Sequence, residues 1–461
     1  MGDTTKKKTP FGAWVCNFTM LLERLAFYGS KPLILLFLIT AVENGGVGVE
    51  AGEAAIIAAN ITAYTYLTPI VGGWITDQFL GARYALVLGC VLMGAGWCIG
   101  YFANTASMVN LMIIVVAIGT GFFKGNLSAI QGRLFDDKDQ LDAAFSIQYS
   151  FVNVGAFVGS LVTGYLYLHL FADGDVLGFR QCFLMSGAFC FIAGIWFFVN
   201  FKNLKGQGRL PFKYLTDTEG NVIGQEEKKE DDNKKGEPMT AYEKRCVIAI
   251  ALVAALGIIF WTFYYQQDIA LTIYMAEYVD MTIGSFRIAE SWITTTLNGL
   301  LCVALGPVMA FIWGKLASRP QGDLDMFQKV GLGFLGVGLA FLVMVLAEFT
   351  RGVGAPADVK VSVLWMVMFS FVITVGEMSF SPLRNAFVSK YAPKKLLSLL
   401  MGLMTMSTFF SSKLSAYVQV IIDAIGDIFT VFVAITAVCI VCAVLMFIFH
   451  KKFNKLVEEE N

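Results

Sequence analysis

Histidine is almost missing from this chain: His169 and His450 are the only two in 461 residues. No serine, histidine and acid set and no ligand cluster on one loop can be read from the sequence, which argues against an integral membrane enzyme such as an acyltransferase. Charge is scarce as well, at 15% of residues, and balanced, with 34 Lys and Arg against 35 Asp and Glu, so nothing points to nucleic acid. The cysteines Cys16, Cys90, Cys98, Cys182, Cys190, Cys246, Cys302, Cys439 and Cys442 lie almost entirely in apolar runs, which is not a disulfide framework. Cys439 and Cys442 form a CxxC, but inside an apolar segment without histidine neighbours, so no metal or redox use and no cofactor is expected. A secretory signal is not expected either: the first apolar run is too long and lacks a small-residue cleavage site. Lys6 stands where a myristoylation site wants Ser or Thr.

What the chain has in quantity is apolar sequence. It is 57% hydrophobic, with 40 Phe and 45 Gly, a composition that suits packed membrane helices. Twelve apolar segments are expected, at about 11–40, 54–77, 83–103, 107–129, 143–171, 180–201, 244–276, 286–316, 326–348, 359–387, 396–421 and 425–449. With the N-terminus inside, inner loops and tails hold 25 of the 34 Lys and Arg and outer loops four (Arg180, Arg287, Arg351 and Lys360), which places both termini in the cytoplasm. The stretch 203–243 is polar and contains the charged run 225–236, so it reads as a solvated, partly disordered linker between a six-helix bundle at 1–202 and another at 244–461. A receptor signalling through that linker is a weak alternative, because the linker carries no recognisable domain.

The most informative stretch runs from Glu23 and Arg24 through Tyr28 and Gly29 to Lys31, inside the first apolar segment. Full charges in a spanning helix rarely face lipid. Arg24, Tyr28 and Lys31 recur at i, i+4 and i+7 on one stripe, with Glu23 beside it. Such a stripe lines an aqueous cavity, or locks helix packing as a buried ion pair.

After the second segment, Gly73, Asp77, Gly81 and Arg83 resemble the GxxxDxxxGxR loop of the major facilitator superfamily. Asp77 and Arg83 are therefore candidates for pairing or capping at a cytoplasmic gate. Six further blocks together resemble the proton-coupled oligopeptide transporter family. Glu23, Arg24, Phe27, Tyr28 and Gly29 match much of ExxERFxYYG. Phe123 to Asn126 match FKPN, and Phe151 to Asn153 lie in FYxxIN. Phe260, Trp261 and Gln266 match FWxxxEQ. Gly376, Glu377, Ser381 and Pro382 match GExxxSP. Ala392 to Lys395 with Gly402 resemble the start of the eleventh helix. The sequence departs at Met20, where the motif has its first Glu, at Lys31 in place of Arg, at Gly125 in place of Pro, and at Tyr264 and Tyr265, where members carry an acid.

The resemblance implies an all-α polytopic membrane protein of the major facilitator superfamily fold, with 12 transmembrane helices in two six-helix bundles and a midplane site between them. It implies a monomer in the plasma membrane, a secondary active symporter that uses protons to import di- and tripeptides or peptide-like compounds. Another small anion or amino-acid conjugate, with altered or no proton coupling, is the alternative. Lys31 and Lys124 are implied to bind the substrate carboxylate with Tyr28 and Asn153 nearby, and Glu377 the α-ammonium with Asn298. Tyr66, Trp261 and Ser381 complete the implied substrate site. Glu23, Arg24, Lys124 and Asp268 are the implied proton-coupling set, with Lys124 alternating between Glu23 and substrate. Asp268 either stands in for the missing acid or sits near the outer mouth. Lys413 is either a structural partner of Glu377 or part of a polar stripe with Ser407 and Ser411. Arg384 is expected to snorkel toward the cytoplasmic end.

Overall fold

The computed structural model describes residues 9–135, 138–217, 219, 221–225 and 239–458. The lysines at 6–8 and the charged run at 226–236 lie outside them. The chain forms two compact units, one of residues 1–47 with 64–229 and one of 48–63 with 230–461.

The first unit contains α1 (Phe11–Ile39), the later part of α2 (Ala51–Gln78), α3 (Ala82–Phe102), α4 (Ala106–Gly132), α5 (Lys138–Tyr165) and α6 (Phe179–Val199). A π turn at Leu166–Leu170 continues α5. α1 packs on α5 and α6, and α3 packs on α4 and α6. The α1–α5 seam is fixed by a polar contact as well as by apolar burial: Thr163 Oγ1 donates to the carbonyl of Gly29 at 2.9 Å.

The second unit contains α7 (Ala241–Tyr264) and α8 (Ala270–Tyr278), which form one span interrupted by a 3-10 turn at Tyr265–Gln267. A π turn at Trp292–Leu297 leads into α9 (Asn298–Ala317), followed by α10 (Met326–Arg351), α11 (Leu364–Tyr391), α12 (Leu397–Ile425) and α13 (Ile428–Asn454). Helix starts follow from local chemistry. Thr240 and Glu243 form a capping box at α7, and Asp325 and Gln328 form another at α10. α10 lies against both α11 and α13, and α7 against α12. The beginning of α2 belongs to this unit, where Ser412 Oγ of α12 donates to the carbonyl of Ala59 at 3.0 Å.

Among the described residues there are thus twelve long helical stretches, as the apolar segments foretold. Ten are long and apolar enough to cross a bilayer by composition alone. The other two, α1 and α12, carry many of the buried polar side chains, including Glu23, Arg24 and Ser411.

The polar stretch after α6 differs from expectation in its described part. Two short strands, β1 (Tyr214–Thr216) and β2 (Val222–Gln225), pair antiparallel. Before them Leu204 and Gln207 are fully buried and Phe212 nearly so. The sequence reading weighed only the length of apolar runs there, and single anchors such as Leu204 leave no such signal.

Candidate substrate and coupling sites

In the first unit, α1 carries Glu23 fully buried and Arg24 nearly so. They pair through both carboxylate oxygens: Arg24 Nε donates to Oε2 at 2.5 Å and Nη2 to Oε1 at 2.7 Å. Such a two-pronged pair satisfies the buried carboxylate geometrically as well as electrostatically. The Arg24 guanidinium also lies 5.3 Å from the Phe27 ring centre and 5.7 Å from that of Tyr28, so Tyr28 joins the cluster through the arginine. Lys124 on α4 takes a different partner from the one expected: its Nζ sits 4.5 Å over the Tyr66 ring. Glu23 is held by Arg24 rather than by Lys124, because an adjacent guanidinium fork fills both oxygens. Lys31 on α1 and Asn153 on α5 are half-buried.

In the second unit, α11 is drawn close to α10 at Gly376, whose Cα would lie 2.5 Å from a Cβ placed on Gly336. Only glycine allows that approach. It sets the next residue, Glu377, in a polar cluster. Tyr264 OH donates to Glu377 Oε2 at 2.5 Å, Asn298 Nδ2 at 3.2 Å and Cys302 Sγ at 3.8 Å. Asn298 also donates to Thr374 Oγ1 at 2.9 Å, which fixes its amide. All three donors converge on Oε2, so among the described residues none donates to Oε1. Tyr264 packs edge-on against Trp261, ring centres 4.9 Å apart, and Trp261 lies 5.6 Å from Tyr265. Ser381, one helical turn after Glu377, shares its face of α11.

The structure brings Glu23, Arg24 and Tyr28 together, Lys124 and Tyr66 together, and Glu377, Asn298, Tyr264 and Trp261 together. Asp268 lies just past the 3-10 turn that ends α7, half-buried. Two other expectations are corrected. Lys413 is not among the partners of Glu377; it donates to Asn60 Oδ1, on the part of α2 that joins this unit. Arg384 does not snorkel outward: its guanidinium carbon lies 5.7 Å from the Trp261 ring centre, and Nη1 donates to Thr408 Oγ1 at 3.0 Å.

The loop after α2 also differs in detail. Asp77 is exposed, and Arg83 sits between aromatic rings, 4.9 Å from both Tyr84 and Phe201, with Nη2 donating to Tyr84 OH at 2.9 Å. The segment after α6 lies on this loop. Arg83 N donates to the carbonyl of Gly208 at 3.1 Å, and Arg133 stacks 4.0 Å from Phe212. A pocket of about 450 Å³ is lined there by Asp77, Arg133 and Lys213 among others.

The second unit also holds a buried ion pair that was not expected from the sequence. Arg351, expected in an outer loop, is the last residue of α10 and is buried. Nε donates to Glu348 Oε2 at 2.8 Å and Nη2 to Oε1 at 2.6 Å, while Nη1 donates to the carbonyls of Ala355 and Pro356 at 2.8 and 3.0 Å. Tyr274 OH completes Glu348 at 2.8 Å. The i, i+3 spacing of Glu348 and Arg351 was the available signal. Cys302 and Thr374 carried no signal, since each looks like an ordinary core residue.

Comparison with known proteins bears on these clusters. The family model of the Major Facilitator Superfamily matches residues 14–412. The chain belongs to the Major Facilitator Superfamily. It is a membrane transporter, not an enzyme. Among relatives of this superfamily chain, the transporter YclF of Bacillus subtilis is 24% identical over 91% of the chain and 89% of its own length. A di-/tripeptide transporter of Lactococcus lactis subsp. cremoris is 25% identical over 97% of the chain and 96% of its own length. The crystal structure of a peptide transporter POT matches the fold with a TM-score of 0.84 at 23% identity, over 97% of this chain and 96% of that one.

Proposed function

We propose that this superfamily member is a proton-coupled symporter of di- and tripeptides or peptide-like compounds, working by alternating access as a monomer in the plasma membrane with both termini cytoplasmic. The observation that carries the reading is Glu377: three donors occupy Oε2 and leave Oε1 for an incoming ammonium. Its partners among the described residues are neutral donors, so none of them competes as a cation with a ligand ammonium. Asn298 and Tyr264 position it, and Ser381 and Trp261 flank it. For the carboxylate end of the substrate, Lys31 and Lys124 are the proposed partners, with Tyr28, Tyr66 and Asn153. Lys124 over the Tyr66 face has its ammonium available to an anion. The full-length likeness to a Lactococcus lactis di-/tripeptide transporter supports the same substrate class.

Proton coupling falls to Glu23 with help from Asp268. Arg24 occupies both carboxylate oxygens of Glu23, and drawing Arg24 toward substrate frees that carboxylate for proton exchange. Asp77 and Arg83 are the proposed gate residues, and 1–202, 203–243 and 244–461 the proposed functional divisions. Uptake of labelled Ala-Ala by purified protein in liposomes, with and without an acid-outside gradient, tests the reading. Transport of a different small anion is the second reading, favoured by Tyr264 and Tyr265, which fill positions where the resembling family carries an acid. It predicts uptake without response to the pH gradient.

A further inference from the structure

We propose that a cavity at one end of the second unit binds a small organic cation through its primary ammonium. The inference is independent of the peptide reading above.

The cavity lies where α8 and α10 end, α12 gives way to α13, and α2 begins. Its volume is about 320 Å³. That falls among small-molecule pockets, which hold about 300–1,000 Å³. Its walls carry four carboxylates, from Glu277, Glu348, Asp423 and Asp427, against one cation, Arg351. Arg351 is already committed: its fork takes both oxygens of Glu348, and Nη1 takes backbone carbonyls. Glu277, Asp423 and Asp427 form no ion pair among the described residues. Asp427 caps α13 by accepting from Phe429 N and Thr430 N, so it lends the cavity charge more than contact.

Acidic residues alone would be an ordinary solvated rim. Gln419 of α12 sets this group apart. It is 3% exposed and lines the same cavity. Nε2 donates to Asp423 Oδ1 at 2.8 Å, which fixes the way the amide faces. Oε1 is then a buried acceptor that receives no hydrogen bond among the described residues. Native structures rarely leave such a group unsatisfied. Gln419 and Asp423 are one helical turn apart, so their oxygens share a face of α12. An ammonium brings three N–H donors and a positive charge, which answers both the acceptor and the carboxylates. An anion would meet like charges. Ile273, Ile422 and Ile428 complete the walls, so a cation with a short hydrocarbon body fits better than a bare metal ion.

The test is calorimetric titration of n-butylammonium into the purified full-length protein and into its Glu377→Gln variant, which takes the substrate cluster out of the measurement. Saturable binding is expected in both, and n-butanol, which lacks the charge, should show none. Adding Asp423→Asn to Glu377→Gln should weaken n-butylammonium binding by about tenfold, the scale of one hydrogen bond to a charged group. The asparagine oxygen can still accept from Gln419, so the turn of α12 keeps its contact. Absence of saturable binding in the parent overturns the proposal without any variant having to fold. So does equal binding of n-butanol, and so does binding undiminished by Asp423→Asn. Each of these results leaves the peptide reading standing.

Discussion

Replacing Glu377 by Gln perturbs one charge and little volume. The amide oxygen can stand where Oε2 stands and still accept from Tyr264, Asn298 and Cys302, which now lie 2.5, 3.2 and 3.8 Å away. The amide nitrogen then takes the place of Oε1 and presents N–H groups to the substrate ammonium. The cluster is thus kept while the ligand contact changes from attraction to repulsion. A hydrogen bond to a charged group contributes about 1.5–3 kcal/mol, so Ala-Ala affinity is expected to fall by roughly 10- to 100-fold. The assay is competition of labelled peptide uptake by purified protein, run with Ala-Ala and with N-acetyl-Ala-Ala. Acetylation removes the ammonium and is expected to weaken binding to the parent by a similar factor. In Glu377→Gln it should add little, because both changes delete one interaction. If Glu377→Gln binds Ala-Ala as tightly as the parent, or still discriminates strongly against the acetylated peptide, the ammonium goes elsewhere.

Three other outcomes are expected. Glu23→Gln should abolish accumulation on a pH gradient yet preserve counterflow exchange of Ala-Ala, and continued gradient-driven accumulation would move the coupling proton to another carboxyl group. Glu348→Ala leaves the Arg351 guanidinium buried without its carboxylate, facing backbone carbonyls and the Tyr278 ring, which should cost about 3–5 kcal/mol and lower the thermal midpoint of the purified protein; an unchanged midpoint contradicts a stabilising role. A Cβ on Gly81 would lie 2.3 Å from the carbonyl oxygen of Arg209, so Gly81→Ala should lift the segment after α6 and speed tryptic cleavage near Arg209, and an unaltered cleavage rate would show that the segment does not depend on that seat.

The helices were legible because a bilayer demands long apolar runs, and their bounds moved by only a few residues between sequence and structure. Glu23, Lys124 and Glu377 were legible because charge stands out against such a background. Their partners were legible only in part, the buried ion pair of the first helix being one of the two readings its stripe allowed. Glu23 and Arg24 are adjacent in sequence, which on a helix puts them about 100° apart, yet long side chains close that gap. Lys413 looked like a partner for Glu377 and Arg384 like a residue for the membrane edge, whereas Lys413 donates to Asn60, and Arg384 lies by Trp261 and donates to Thr408. Those neighbours come from distant parts of the chain, so no local spacing encodes them. The burial of Leu204 and Gln207 in the polar stretch escaped for a related reason: a segment can dock through isolated anchors without periodicity.

Protons are proposed to drive peptide movement through this protein. Purified protein in liposomes, given labelled Ala-Ala under an acid-outside gradient, should concentrate the peptide above its external level. It should lose that accumulation when an ionophore collapses the gradient. Uptake that only equilibrates, at the same rate with and without the gradient, would contradict proton coupling.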